Sequence, residues 1–152
     1  MTLLERKTRY DKVIRLPDKS SRSVMNAFAA LKSEYGERFP HIFKTITTDN
    51  GSEFSRLAEI ELESETKVYY ARPYSSCEKG SNERYNGLLR HFFPKGRRID
   101  SFTDEDISDA ENWINSMPGK LLQYKTPKML FRKEISVLQY PNERRNSSAP
   151  FV

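Results

Sequence analysis

The sequence predicts an α/β fold, a mixed sheet flanked by helices. Short runs that alternate apolar and polar residues open the chain and recur near residues 43–48 and 67–71, which is the strand signature. Segments with apolar residues at helical spacing stand between and after them. The first two strand-like runs are joined by a short polar break and should pair antiparallel. The later ones alternate with helices and should be parallel, around one sheet.

Each element has its own local reason. Thr2 to Arg6 and Lys12 to Leu16 read as strands, with the polar residues 9–12 as the turn between them. Pro17-Asp18-Lys19-Ser20 ends the second strand. Ser20, Ser21 or Ser23 can cap a helix whose inner face is Val24, Ala27, Phe28 and Leu31. Gly36 breaks that helix. Phe43 to Thr48 is a third strand, ending at Asp49. Ser55 to Glu65 reads as a short acidic helix with Leu57, Ile60 and Leu62 inward. Lys67 to Ala71 is a fourth strand, closed by Arg72-Pro73, and Ser75 to Ser81 is a polar loop. Asn82 to Phe93 reads as helix, although Gly87 weakens it by about 1 kcal/mol relative to alanine. Pro94-Lys95-Gly96 stops it. Thr103 caps the next helix, where Asp104, Glu105 and Asp106 suit the positive end of the dipole. Ile107, Ala110, Trp113 and Ile114 form its expected buried face, and Tyr124 is also expected in the core. Thr126-Pro127 begins a last short helix through Phe131. The expected division is a core over residues 1–135 and a polar, flexible tail over 136–152.

The totals bound the function. A chain of 152 residues with nine Phe, eight Tyr and one Trp can build one domain with a real core. Its net charge of +5 and pI near 9.3 favour a polyanionic partner. One cysteine, Cys77, excludes an internal disulfide and a cysteine-rich zinc site. No stretch approaches the roughly 20 apolar residues that span a bilayer. No signal peptide opens the chain, so the expected setting is a bacterial cytoplasm, close to the nucleoid.

Two acids stand out. Asp49 lies in Thr48-Asp49-Asn50-Gly51-Ser52-Glu53-Phe54, and Glu83 in Ser81-Asn82-Glu83-Arg84-Tyr85-Asn86-Gly87, with 33 residues between them. Asp-Asn-Gly by itself signals a turn that tolerates positive φ. Yet Asp49 also ends a buried-looking strand, and ligand sites in α/β sheets lie outside the carboxyl ends of parallel strands. Glu83 can be a solvated helix glutamate. Its neighbours Asn82 and Asn86 are poor interior helix formers and suggest a polar working face. Arg90 lies two turns further along that face. A few carboxylates plus substrate phosphates suffice to hold Mg2+. Two such ions can activate a water or a 3′-hydroxyl and stabilise the leaving oxygen. The run Arg90-His91-Phe92-Phe93-Pro94-Lys95-Gly96-Arg97-Arg98 can serve as a helix end rich in cations, as a phosphate-contacting strip, or as both.

Thr48 to Phe54, Pro73-Tyr74-Ser75-Ser76-Cys77-Glu78-Lys79-Gly80-Ser81-Asn82-Glu83 and Phe92-Phe93-Pro94-Lys95-Gly96 together resemble the transposases of the insertion-sequence-thirty family. Tyr124-Lys125-Thr126-Pro127 with Phe131 is similar to that family's closing motif. Glu5-Arg6-Lys7-Thr8-Arg9 and Leu16-Pro17 fit its early strands. The resemblance runs from about Leu3 to Phe131. It implies a ribonuclease-H-like core with an Asp, Asp, Glu site for two Mg2+ or Mn2+ ions. The implied activity is cleavage of transposon ends and transfer of their 3′-hydroxyls to target DNA. Asp49 matches the second Asp, Glu83 the Glu, and Arg90 the basic residue that follows it. The DNA-contacting set expected on this basis is Lys79, Asn82, Asn86, Arg90, Lys95, Arg97 and Arg98.

The chain departs from the family pattern in places. Cys77 stands where Trp is usual, Arg84-Tyr85 replaces an Asn-Thr pair, and Met117 and Gly119 flank Pro118 where Arg is common. The first Asp of the family site belongs to a strand that precedes Leu3. Asp11, expected in a turn, is no substitute for it. In the family fold that strand lies between the second and the fourth, so without it both neighbours keep unpaired backbone groups. The expectations are that the sheet closes its gap, stays frayed, or borrows a strand from another copy. On this reading the chain alone is inactive. The alternative reading is a non-catalytic remnant that binds DNA or a full-length transposase.

Overall fold

The computed structural model describes residues 1–71 and 84–139. In chain order the elements are β1 (Thr2–Leu4), β2 (Asp11–Val13), α1 (Ser21–Tyr35), α2 (Phe39–Ile42), β3 (Thr45–Thr48), α3 (Glu59–Glu63), β4 (Lys67–Tyr70), α4 (residues 84–89), α5 (Asp104–Ser116) and α6 (Pro127–Gln139). The chain is therefore a mixed α/β protein, as its patterning predicts.

The strands form two separate pairs instead of one sheet. β1 and β2 are antiparallel, with Leu3 opposite Lys12. β3 and β4 are parallel, with Ile46 opposite Val68. Both pairs lean on α1. Ser20 caps that helix by accepting the Ser23 N–H at 3.2 Å. Its face of Val24, Phe28 and Leu31 packs with Phe39, Ile46, Leu57 and Ile60 into the main core, against which Leu3, Ile14 and Val68 lie. A second core of Leu89, Ala110 and Ile114 covers the opposite face of β1–β2 and takes in Val13. Val13 and the residue after it, Ile14, thus serve opposite layers, as the alternation of an extended chain requires.

The four strand edges are treated unequally. In β1–β2 the Met1–Ile14 and Glu5–Tyr10 pairs bond directly. The alternation of the ladder then turns the amides of Thr2 and Leu4 to the outer edge of β1, and those of Asp11 and Val13 to the outer edge of β2. α5 occupies the β2 edge. Asn115 Oδ1 accepts the Asp11 N–H at 2.9 Å, its Nδ2 donates to the Asp11 carbonyl at 2.9 Å, and Glu111 accepts the Val13 N–H at 2.9 Å. The outer edge of β4 meets α3, where Glu61 accepts the Val68 N–H at 2.6 Å. The remaining edges, Thr2 and Leu4 on β1 and Thr45 and Thr47 on β3, have no backbone partner among the described residues.

Several sequence expectations need correction. Asp11 is the first residue of β2, not part of the turn, and it is 1% exposed. Leu62 points to solvent, because it lies two residues past Ile60 and so on the far side of α3. Trp113 and Tyr124 are not core residues: they are 45% and 73% exposed. Asn115 is buried on α5 in place of Trp113, drawn in by the β2 edge that it satisfies. Helix α4 ends at residue 89, and the chain closes in tight turns, with the His91 N–H on the Leu88 carbonyl. The last helix runs through Gln139 rather than stopping at Phe131. Phe131 stacks on Tyr10 at 4.2 Å and Lys7 pairs with Glu134 at 2.7 Å, which ties α6 to the β1–β2 turn.

Candidate metal and nucleic-acid site

Asp49 follows β3 directly, at the carboxyl end of the parallel pair. The ladder brings the end of β4 alongside: the Ala71 N–H bonds to the Thr48 carbonyl at 2.7 Å, and Asn50 Nδ2 donates to the Ala71 carbonyl at 3.2 Å. Asp49 Oδ1 accepts the Gly51 N–H at 3.1 Å, which fixes the carboxylate against its own loop. Both Asp49 and Asn50 are exposed.

Glycine stands at position 51 for space, not for an unusual backbone. Its φ is −62°, ordinary for any residue. A Cβ there would fall 2.6 Å from Glu53 Oε2 and 3.0 Å from Asp49 Oδ1. Its hydrogen atom instead lets both carboxylates reach the same volume. Sequence reasoning singled out Asp49 and missed Glu53. The signal was the Asp-x-Gly-x-Glu spacing, which gains meaning only once the loop folds Glu53 back over the glycine.

Glu83, Lys79 and Asn82 lie outside the described residues, so their places in the site stay as the sequence predicts them. Among the described residues no three His, Cys, Asp or Glu side chains cluster closely enough to hold a metal ion. Two oxygen donors, Asp49 and Glu53, are what the described part of the site offers to a hard cation.

The basic run packs on the molecule's second core through Phe92 and Phe93. Phe93 packs edge-on to Phe102, just before α5, at 5.0 Å and Phe92 edge-on to Trp113 of α5 at 5.2 Å, so two aromatic pegs fasten the run to α5 and to its lead-in. Gly96 takes a φ of +88°, which turns the chain after Pro94 and Lys95. Arg90, Lys95 and Arg97 are exposed, and no carboxylate pairs with them among the described residues. Arg98 is held by Asp100 at 2.7 Å, an exposed pair that costs little to exchange for another anion. Asn86 stands one turn before Arg90, whose N–H bonds to the Asn86 carbonyl at 3.3 Å. Its Oδ1 accepts from Thr2 Oγ1 at 3.3 Å and links α4 to β1.

The most perturbed described carboxyl is Asp11. Burial, reinforced by Glu111 and opposed by the amino terminus, pushes it up to about 7. Neither of its oxygens has a hydrogen-bond partner among the described residues. It belongs to the β2–α5 junction and serves the fold, not the exposed acids at Asp49.

Known proteins similar to this chain are transposases. No protein-family model matches the chain. It is 42% identical over 96 residues to the transposase for insertion sequence element IS4351 of Bacteroides fragilis, covering 63% of this chain and 29% of that one. It is 39% identical over 131 residues to the probable transposase for insertion-like sequence element IS1161 of Streptococcus salivarius, covering 86% and 36%. Transposase InsI of element IS30A from Escherichia coli K12 is 34% identical over 140 residues, covering 90% and 35%. By these similarities the chain belongs to the IS30 family of transposases. It spans about a third of the length of the curated relatives it matches. No helix among the described residues is long and apolar enough to cross a membrane.

Proposed function

We propose that this chain forms part of a transposase catalytic core that binds DNA and contributes carboxylates to a two-metal site for strand cleavage and strand transfer. The observation that carries this reading is the position of Asp49 at the paired carboxyl ends of β3 and β4, with Glu53 beside it. Asp49 and Glu83 would hold Mg2+ or Mn2+, with Glu53 as a near neighbour that adds negative charge. Such ions activate a water or 3′-hydroxyl and neutralise the leaving oxygen. The chain's own residues orient the acid through the Gly51 amide and fasten the loop through Asn50. Arg90, Lys95, Arg97 and Arg98 meet the phosphates.

The reading extends to the fold. A ribonuclease-H-like sheet has one more strand between those that correspond to β1 and β3. These are the two edges left without a partner, while α5 and α3 side chains occupy the other two. A strand entering there would join the two pairs into one mixed sheet and complete the acid set with an Asp of its own.

The test uses metal and DNA separately. Mn2+ titration followed by calorimetry should show binding that Asp49→Ala weakens at least tenfold. Binding of a labelled duplex should fall as salt rises, and Arg97→Ala with Arg98→Ala should weaken it for every sequence and lower the salt slope by roughly 0.9 per lost phosphate contact. An Mn2+ affinity indifferent to Asp49→Ala, with DNA binding intact, would favour the non-catalytic alternative. Failure to bind DNA would remove the catalytic-core reading and leave, of the alternative, only binding to a full-length transposase.

A further inference from the structure

Trp113 is one of the side chains that the sequence places wrongly, and it seats Phe92 while much of its own surface stays in water. Trp113 lies on the apolar arc of α5 by helical spacing, yet 45% of it is exposed. An indole is costly to leave half in water, and α5 buries Asn115 instead. The ring has one aromatic contact among the described residues, the edge-on packing with Phe92 at 5.2 Å. That contact comes from within the basic run. Phe92 lies two residues after Arg90 and three before Lys95, and both cations are exposed. A further cation is held nearby, where Lys128 Nζ bonds to Asn112 Oδ1, beside Trp113 in the chain, at 2.8 Å. The exposed acids on the same face are Asp109, one turn earlier on α5, and Asp106, two turns earlier and held in the Thr103 cap.

We infer that Trp113 is a stacking platform for an unpaired nucleobase, with Arg90, Lys95 and Lys128 tracking the phosphates beside it. An aromatic face beside a basic strip is how proteins hold single-stranded nucleic acid without reading its sequence. A duplex end offers its bases to such a platform only after fraying, so the site selects single-stranded or opened DNA. Phe92 fixes the indole and leaves one face to the ligand. This inference rests on the DNA-binding reading above and adds a residue and a strand preference to it.

Trp113 is the one tryptophan of the chain, so its emission reports on this site alone. A 12-nucleotide oligothymidylate and a blunt duplex of equal length would be titrated into the protein. Tryptophan emission and the anisotropy of a labelled copy of each DNA would be followed together. The single strand should quench Trp113 in step with binding. Trp113→Ala should weaken single-strand binding about tenfold, within the range that loss of one stacked base produces. Duplex binding should change less than twofold. Trp113→Phe, which keeps a ring against Phe92, should retain most of the affinity and guards against a folding defect in the alanine variant. Single-strand binding that leaves emission unchanged, and that survives in Trp113→Phe and Trp113→Ala alike, would overturn the platform while DNA binding stands. Quenching by the duplex equal to that by the single strand would overturn the strand preference. No binding of either DNA at low salt would sink this inference together with the DNA-binding reading.

Discussion

The two strand pairs are built to opposite standards. β1–β2 is covered on both faces, by Leu3 and Ile14 against α1 and by Val13 against the Leu89–Ile114 core. Its outer edge is occupied by Asn115 and Glu111, and a carboxyl is buried in it. β3–β4 is covered on one face through Ile46 and Val68, whereas Thr45, Thr47, Lys67 and Tyr69 on the other are exposed. Its outer edge has one side-chain bond among the described residues, from Glu61. The candidate catalytic acid stands at the end of the weaker pair. The fold therefore concentrates its polar constraints at β2–α5 and leaves the site on a pair of lower local stability, where loops that must bind and release are usually drawn from.

The largest expected effect comes from the buried carboxyl that distinguishes the first pair. Asp11 has its folded pKa raised from 3.8 to about 7. A raised carboxyl favours the protonated, folded state, so its contribution is fully present below about pH 4 and is lost as pH rises through 7. Denaturant unfolding at pH 4 and pH 8 should show stability lower at pH 8, by up to about 4 kcal/mol from this group. Asp11→Asn should flatten that slope. A variant whose slope matches the unaltered protein would mean that Asp11 is not buried as described.

Next in size is Asn115→Leu, which strips the β2 edge of its partner. The Asp11 amide and carbonyl and the Glu111 carbonyl each lose a bond to Asn115. Leaving these groups dry and unpaired should cost about 3 kcal/mol in urea unfolding. A cost below about 1 kcal/mol would show that water or a neighbour replaces the amide readily, and the contrast between the two pairs would then weaken.

These two residues also show what the sequence could and could not convey. Local rules were legible. Ser20 caps α1, Thr103 and Asp106 form a reciprocal cap on α5, and Val24, Ala27, Phe28 and Leu31 face the core as their spacing demands. The strand pairs and their directions followed from loop lengths. Asn115 escaped because hydropathy ranks it as surface, while its burial answers the backbone of a strand about a hundred residues away. Asp11 escaped for the same reason, and Trp113 was misplaced by the same periodicity that placed Ile114 well. At the candidate site, Asp49 could be read from its strand-end motif. Glu53 could not, because its approach depends on the missing Cβ of Gly51.

On the second pair, Glu61→Ala removes the side chain that, among the described residues, guards the β4 edge. The cost should be about 1 kcal/mol. Hydrogen exchange sharpens the comparison: the Val68 amide should exchange faster, while the Asp11 and Val13 amides should keep their protection. Equal acceleration at both places would show that the pairs open as one unit and are not separable in stability.

The smallest change in stability should come from Gly51→Ala, and it tests the site most directly. The added methyl would meet Glu53 Oε2 at 2.6 Å and Asp49 Oδ1 at 3.0 Å. The first is the end of a flexible side chain and can swing away, and the backbone at φ −62° accepts alanine without strain. The lost freedom of glycine in the unfolded chain works in the variant's favour. Unfolding free energy should therefore change by less than about 1 kcal/mol. Mn2+ affinity should nevertheless fall several-fold, because the second carboxylate has been pushed out of the space that the two acids share. Unchanged Mn2+ affinity would remove Glu53 from the site and leave Asp49 to act with acids beyond this loop. A large loss of stability would instead show that the loop is rigid, and that the weaker pair is held more firmly at its carboxyl end than along its edge.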